Sequence, residues 1–136
     1  MVTKQFRGLP EDADLTRADS LAREIFSDVA NKWALLIINV LDERTLRFTE
    51  LRNAVDGISH KMLTQNLRML ERNGLVDRHV HPTVPPRVEY TLTEAGQALQ
   101  RTVDGICDWT LTHLAHIESA RHRFDGDVQP GGPPAH

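Results

Sequence analysis

The stretch from Phe48 to Arg72, F-T-E-L-R-N-A-V-D-G-I-S-H-K-M-L-T-Q-N-L-R-M-L-E-R, leaves the chain few ways to fold. It predicts a short helix, a tight turn and a longer helix. Leu63, Leu67 and Leu70 recur at i, i+4 and i+7 and mark a buried side. His60, Lys61, Thr64, Gln65 and Arg68 fall on the other side. Asp56-Gly57 is a turn signal, because glycine tolerates positive φ. Ser59 is placed to cap the longer helix through its hydroxyl, and Asn73-Gly74 to end it. A helix that packs along one side and offers donors along the other meets the requirement for reading the major groove of DNA.

The flanking segments support such a unit. Leu21, Ile25 and Val29 predict a helix beginning near Ser20. Asn31 caps a second, strongly apolar helix whose Trp33, Leu36, Ile37, Val40 and Leu41 should centre the core. Asp42-Glu43-Arg44 ends it, and Leu46-Arg47-Phe48 reads as a short strand. Thr49 is the expected cap for a helix over Glu50 to about Val55, with Leu51, Ala54 and Val55 inward. Leu75 to His81 and Arg87 to Leu92 read as two strands, rich in β-branched and aromatic residues. Pro82-Thr83-Val84-Pro85-Pro86 between them forbids a tight two-residue turn and implies a stiff projecting tip. A helix pair followed by such a hairpin is a winged helix. The expected fold class is α+β, mainly α: a winged helix-turn-helix domain with a two-stranded wing and a long C-terminal dimerisation helix.

That last helix, capped by Thr93, runs to about Glu118 or beyond, with Leu99, Val103, Ile106, Trp109, Leu114 and Ile117 as its apolar positions. A helix of about 26 residues extends roughly 39 Å, more than a domain this small can cover. Its distal half therefore pairs with a second copy, with Leu21, Ile106, Trp109, Leu114 and Ile117 as the expected dimer interface. A two-fold dimer would present two reading helices to a palindromic or pseudo-palindromic operator in double-stranded DNA. Residues 1–17 read as a flexible arm, 18–122 as the DNA-binding and dimerisation domain, and 123–136 as a disordered tail rich in Pro and Gly.

Composition narrows the function classes. The 136 residues suffice for one domain with a modest core, and 40% hydrophobic with 26% charged residues fits a soluble globular chain. The longest apolar run, Trp33 to Ile38, is far too short to span a membrane, and no secretory signal pattern opens the chain, so a cytoplasmic location is expected. Net charge is −3, yet Arg47 to Val88 holds seven Lys/Arg against four acids. A basic middle between acidic ends suits a localised phosphate-facing surface. The single cysteine, Cys107, excludes an internal disulfide and a multi-cysteine zinc site. It reads as a small buried or interface residue. His113 and His116 share a helix face, but no carboxylate cluster supports a metal site there. No Ser/His/Asp set, phosphate loop or acid pair stands out, so neither an enzyme nor a cofactor is expected.

The sequence resembles the HxlR-type transcriptional regulators over about Ser20 to Trp109. The resemblance is carried by Asn31-Lys32-Trp33, R-F-T-E-L-R at Arg47 to Arg52, G-I-S-H-K-M-L-T-Q-N-L-R-M-L-E at Gly57 to Glu71, and N-G-L-V at Asn73 to Val76. It continues through the wing, His81 to Tyr90, into T-L-T-E-A-G at Thr91 to Gly96. It implies a dimeric winged-helix DNA-binding protein. Two departures stand out. The cysteine that family members often carry near the first helix falls at Ser20, and a hydroxyl does not supply thiolate chemistry. The usual Gly-Gly before Lys-Trp is Ala30-Asn31.

Within this frame the expected DNA contacts are Thr49, Arg52, Ser59, His60, Lys61, Thr64, Gln65, Arg68 and Arg87. His60, Lys61, Thr64 and Gln65 are candidates for base edges, and Ser59 and Arg68 for phosphate. Arg87 is a candidate for the minor groove or a phosphate, or else a partner for Glu89 or Asp77. Thr49 and Arg52 suit the backbone, as does Arg47 unless it pairs with Glu50. His79 and His81 read as strand residues or as added phosphate contacts. Two other functions remain open: a winged helix used only for protein contacts, and a ligand-responsive regulator with a pocket between core and last helix near Phe26, Trp33 and Trp109, its effector unknown.

Overall fold

The computed structural model describes residues 12–127. In chain order these form α1 (Asp12–Val29), α2 (Lys32–Leu41), β1 (Thr45–Arg47), α3 (Phe48–Ala54), α4 (His60–Arg72), β2 (Val76–His81), β3 (Arg87–Leu92), α5 (Glu94–Thr112) and α6 (Leu114–Asp127). The chain divides into two compact units at Ala98/Leu99, within α5.

In the first unit, α1 starts well before Ser20, correcting the expected helix start. Its early turns carry the ion pairs Arg17–Asp14 and Arg23–Asp19, three and four residues apart on the exposed helix surface. The rest of the expected arm lies outside the described residues. Asn31 caps α2, its side-chain oxygen accepting from Ala34 N–H at 2.9 Å. The same side chain donates to Asp28 O at 2.9 Å, joining the end of α1 to the start of α2. The buried face of α2 is Ala34, Ile37, Ile38 and Leu41. Leu36 is 41% exposed and Trp33 and Val40 are only half-buried, so the centre of the core is displaced around the helix from the expected set.

Helix α3 begins at Phe48, and its cap is not Thr49. Arg47 holds the N-cap position, and its backbone N–H donates to Glu50 Oε1 at 2.8 Å. Leu51 and Val55 point inward as expected, whereas Ala54 is exposed. Gly57 turns the chain at φ +82°. Ser59 Oγ accepts from Met62 N–H at 3.0 Å and starts α4. Leu63, Leu67 and Leu70 are buried, and Gly74 ends the segment at φ +74°. Asn73 Nδ2 donates both to Met69 O at 3.1 Å and to Asp28 Oδ2 at 3.2 Å, fastening the end of α4 to the end of α1.

The sheet has three antiparallel strands in the order β1-β3-β2, so the expected hairpin gains a third strand. The register pairs Arg47 with Glu89, Glu89 with His79, and Arg87 with His81. Because side chains alternate across a strand, these five residues share one face. Val76, Val80, Val88, Tyr90 and Leu92 share the other, together with Arg78. Thr93 Oγ1 accepts from Gly96 N–H at 3.0 Å, which opens α5 as expected.

In the second unit the expected single helix is interrupted at His113, between α5 and α6. Backbone hydrogen bonds still run from His113 N to Trp109 O (3.1 Å) and from Ile117 N to His113 O (2.9 Å). Helix α6 includes Arg123 to Asp127, which the tail was expected to contain; residues 128–136 lie outside the described residues.

Candidate nucleic-acid interface

Helix α4 separates its residues by chemistry. Lys61, Gln65 and Arg68 are exposed, and among the described residues none of their side chains donates to a protein acceptor. Two neighbours are held in place. Thr64 is half-buried and its hydroxyl donates to His60 O at 2.8 Å. The His60 ring lies 4.7 Å from that of Phe48, tilted by 50°. This contact couples the start of α3 to the start of α4 and limits the directions His60 can take. Ser59 and Thr49 are exposed near those two helix starts, and Arg52 is exposed in the last turn of α3. Asn66 was not foreseen: it is 6% exposed, and its Nδ2 donates to Met62 O at 2.9 Å. Its place one helical step from Leu63 and Leu70 was the available signal.

The wing carries a different arrangement. Glu89 Oε1 lies 2.7 Å from His81 Nε2, and Glu89 Oε2 lies 3.6 Å from Arg87 Nε. Arg87 is half-buried, and its Nε has no hydrogen-bond partner among the described residues. The expected alternative partner of Arg87 is thus present beside it. The hydrogen bond from His81, with the charges of His81, Arg87 and Arg47, holds the Glu89 carboxyl below the usual carboxylate range against a smaller opposing effect of burial. A lowered folded pKa contributes stability that is complete above the unfolded value and is lost as pH falls through the folded one. Glu89→Gln is therefore expected to be slightly less stable than the parent at about pH 6, with the gap closing on acidification below the ordinary carboxylate range. Urea unfolding across that window checks it; a gap that persists unchanged in acid would contradict the assignment.

Two clefts flank these side chains. One, of about 510 Å³, lies between Arg47-Phe48-Thr49 and the wing segment Thr83 to Val88. The other, of about 350 Å³, lies between α4 and the inner face of the sheet. At the wing tip Val84 is fully exposed, and Thr83 Oγ1 donates to Pro85 O at 2.7 Å.

The apolar residues expected to pair with a second copy are available in each unit. Leu21 on α1 and Ile106, Trp109 and Leu114 on α5 and α6 are exposed, Trp109 at 56%, while Ile117 is half-buried. Cys107 is exposed rather than buried. Among the described residues no group of three or more His, Cys, Asp or Glu side chains is placed to hold a metal, and no helix is long and apolar enough to cross a membrane.

A model of the HxlR-like helix-turn-helix family matches residues 28–118. The chain belongs to that family. Relatives of this HxlR-like protein are named as regulators of transcription. The uncharacterized HTH-type transcriptional regulator YtfH of Escherichia coli (strain K12) is 39% identical over 100 residues, spanning 74% of this chain and 79% of that protein. An uncharacterized HTH-type transcriptional regulator of Methanothermobacter thermautotrophicus is 39% identical over 94 residues, 69% of this chain and 72% of that one. Among solved structures, the reduced form of the transcriptional regulator YodB from B. subtilis is 41% identical, with a TM-score of 0.59 over 65% of this chain and 86% of that chain. The HxlR-like protein is accordingly a helix-turn-helix transcriptional regulator with a winged-helix fold.

Proposed function

We propose that this HxlR-like regulator acts in the cytoplasm as a homodimer on a palindromic or pseudo-palindromic operator, with α4 in the major groove and the wing along the minor groove or backbone. The observation that carries this reading is the strip of Lys61, Gln65 and Arg68 on α4, exposed and with no side-chain acceptor among the described residues. His60, Lys61, Thr64 and Gln65 face base edges; Thr49, Arg52, Ser59, Arg68 and Arg87 meet backbone or the minor groove. A protein-docking winged helix would instead present apolar or aromatic residues on that strip. A second copy covers the exposed Leu21 of the first unit and, in the second unit, the exposed Ile106, Trp109 and Leu114 with Ile117.

Footprinting on the gene's own upstream region tests the reading. Two protected patches about one helical turn, or a small multiple, apart are expected. Gln65→Ala should change base preference at one position per half-site, by about 1–3 kcal/mol, with little change in non-specific binding. Absence of protection at low salt would sink the proposal.

A further inference from the structure

We propose that the cleft between α4 and the sheet is the seat of one DNA phosphate, and that Arg78 shares that phosphate with Arg68. The inference rests on the DNA-binding reading above. A helix in the major groove and a wing on the neighbouring minor groove necessarily have one phosphodiester strand between them. The cleft of about 350 Å³ is the space between those two elements, with Leu67 and Tyr90 as its floor and Thr64, Arg68, Glu71 and Arg78 around it.

Arg78 is out of pattern. The strand register puts it opposite Tyr90, on the sheet face otherwise formed by Leu46, Val76, Val80, Val88 and Leu92. A strand built only for packing would place an apolar residue there. Arg78 is exposed, and among the described residues neither it nor Arg68 forms an ion pair, although Glu71 lines the same cleft. The contrast is with Arg87, whose charge already faces Glu89. Two guanidinium groups against one carboxylate leave the cleft a net positive charge. Guanidinium forks match phosphate oxygens bidentately, so two can share one phosphate. Glu71 opposes the phosphate and so limits the affinity the two arginines give.

The test uses the full chain and the operator fragment found by footprinting, titrated by fluorescence anisotropy from about 50 to 200 mM salt, where phosphate contacts set the slope. Arg78→Ala should weaken operator and unrelated DNA alike and reduce the slope of log K against log salt by about one unit. Arg78→Lys should recover most of that slope, and Arg78→Gln should repeat the loss if the alanine variant folds poorly. Arg68→Ala combined with Arg78→Ala should cost less than the two separate losses multiplied. Glu71→Gln should tighten binding to all sequences. An unchanged slope in Arg78→Ala and Arg78→Gln, while Gln65→Ala still alters base preference, overturns the inference and leaves the DNA-binding reading standing. Independent, fully multiplying losses from the two arginines overturn the shared seat. Failure of the parent protein to bind any DNA at low salt removes the reading beneath both.

Discussion

Gly96→Ala is expected to destabilise the fold by about 3 kcal/mol, the upper part of the usual range for overpacking. A Cβ at Gly96 would lie 2.1 Å from Leu75 O, 3.1 Å from Leu75 C and 3.2 Å from Leu92 Cδ2. The closest of these is a backbone atom, and it has little freedom to retreat. Leu75 O accepts from Thr93 N–H at 3.0 Å, and Leu75 N–H donates to Leu70 O at 2.9 Å. Thr93 also donates to Gly74 O at 2.6 Å. The junction of α4, β2 and α5 is thus closed by bonds that the added methyl group would force apart. Urea unfolding should show a lower midpoint with a similar slope. A loss below about 0.5 kcal/mol, the size of an ordinary surface substitution, would mean that the close approach is not maintained in solution.

Leu63→Ala is the second large effect, with an expected loss of about 2–5 kcal/mol. Leu63 is fully buried on the inner side of α4, and its N–H donates to Ser59 O at 3.0 Å in the first turn. Truncation leaves a cavity beneath α4 while leaving every exposed side chain on it unchanged. Operator affinity measured well below the unfolding midpoint should fall less than stability does. Gln65→Ala should show the reverse, with altered base preference and near-parent stability. If Leu63→Ala melts like the parent, α4 is not anchored through this residue.

The sequence made the local stops and starts readable wherever one side chain or one glycine decides them. Asn31, Ser59 and Thr93 cap as their short polar side chains suggest. Gly57 and Gly74 turn where positive φ is needed. The leucines of α4 are buried at helical spacing. What failed depended on contacts far along the chain or on competing local bonds. Thr49 lost the cap to Arg47 because Glu50 reaches back to the preceding backbone N–H. β1, expected at Leu46 to Phe48, is present but one residue earlier, because its limits are set by pairing with β3, Thr45 opposite Thr91 and Arg47 opposite Glu89, while Phe48 opens α3. Trp33 and Leu36 fit an apolar periodicity, but which arc of α2 is buried depends on what packs against it. Of the candidate site, the polar strip of α4 was legible from spacing alone. The convergence of Arg68 and Arg78 on one cleft was not, since a helix and a strand meet there only after the sheet has formed.

The Asn73–Asp28 hydrogen bond has a mechanical consequence. Asp28 is one residue from the end of α1 and Asn73 one residue past the end of α4, so the two helices share a rivet. The other anchors of that corner, Asn31 Nδ2 to Asp28 O and Asn73 Nδ2 to Met69 O, leave it little slack. A rotation of α1 that displaces Asp28 breaks this bond unless the end of α4 moves with it. Helix α1, where Leu21 and Phe26 stand exposed, is thereby tied to the C-terminal end of α4, the helix proposed to enter the major groove.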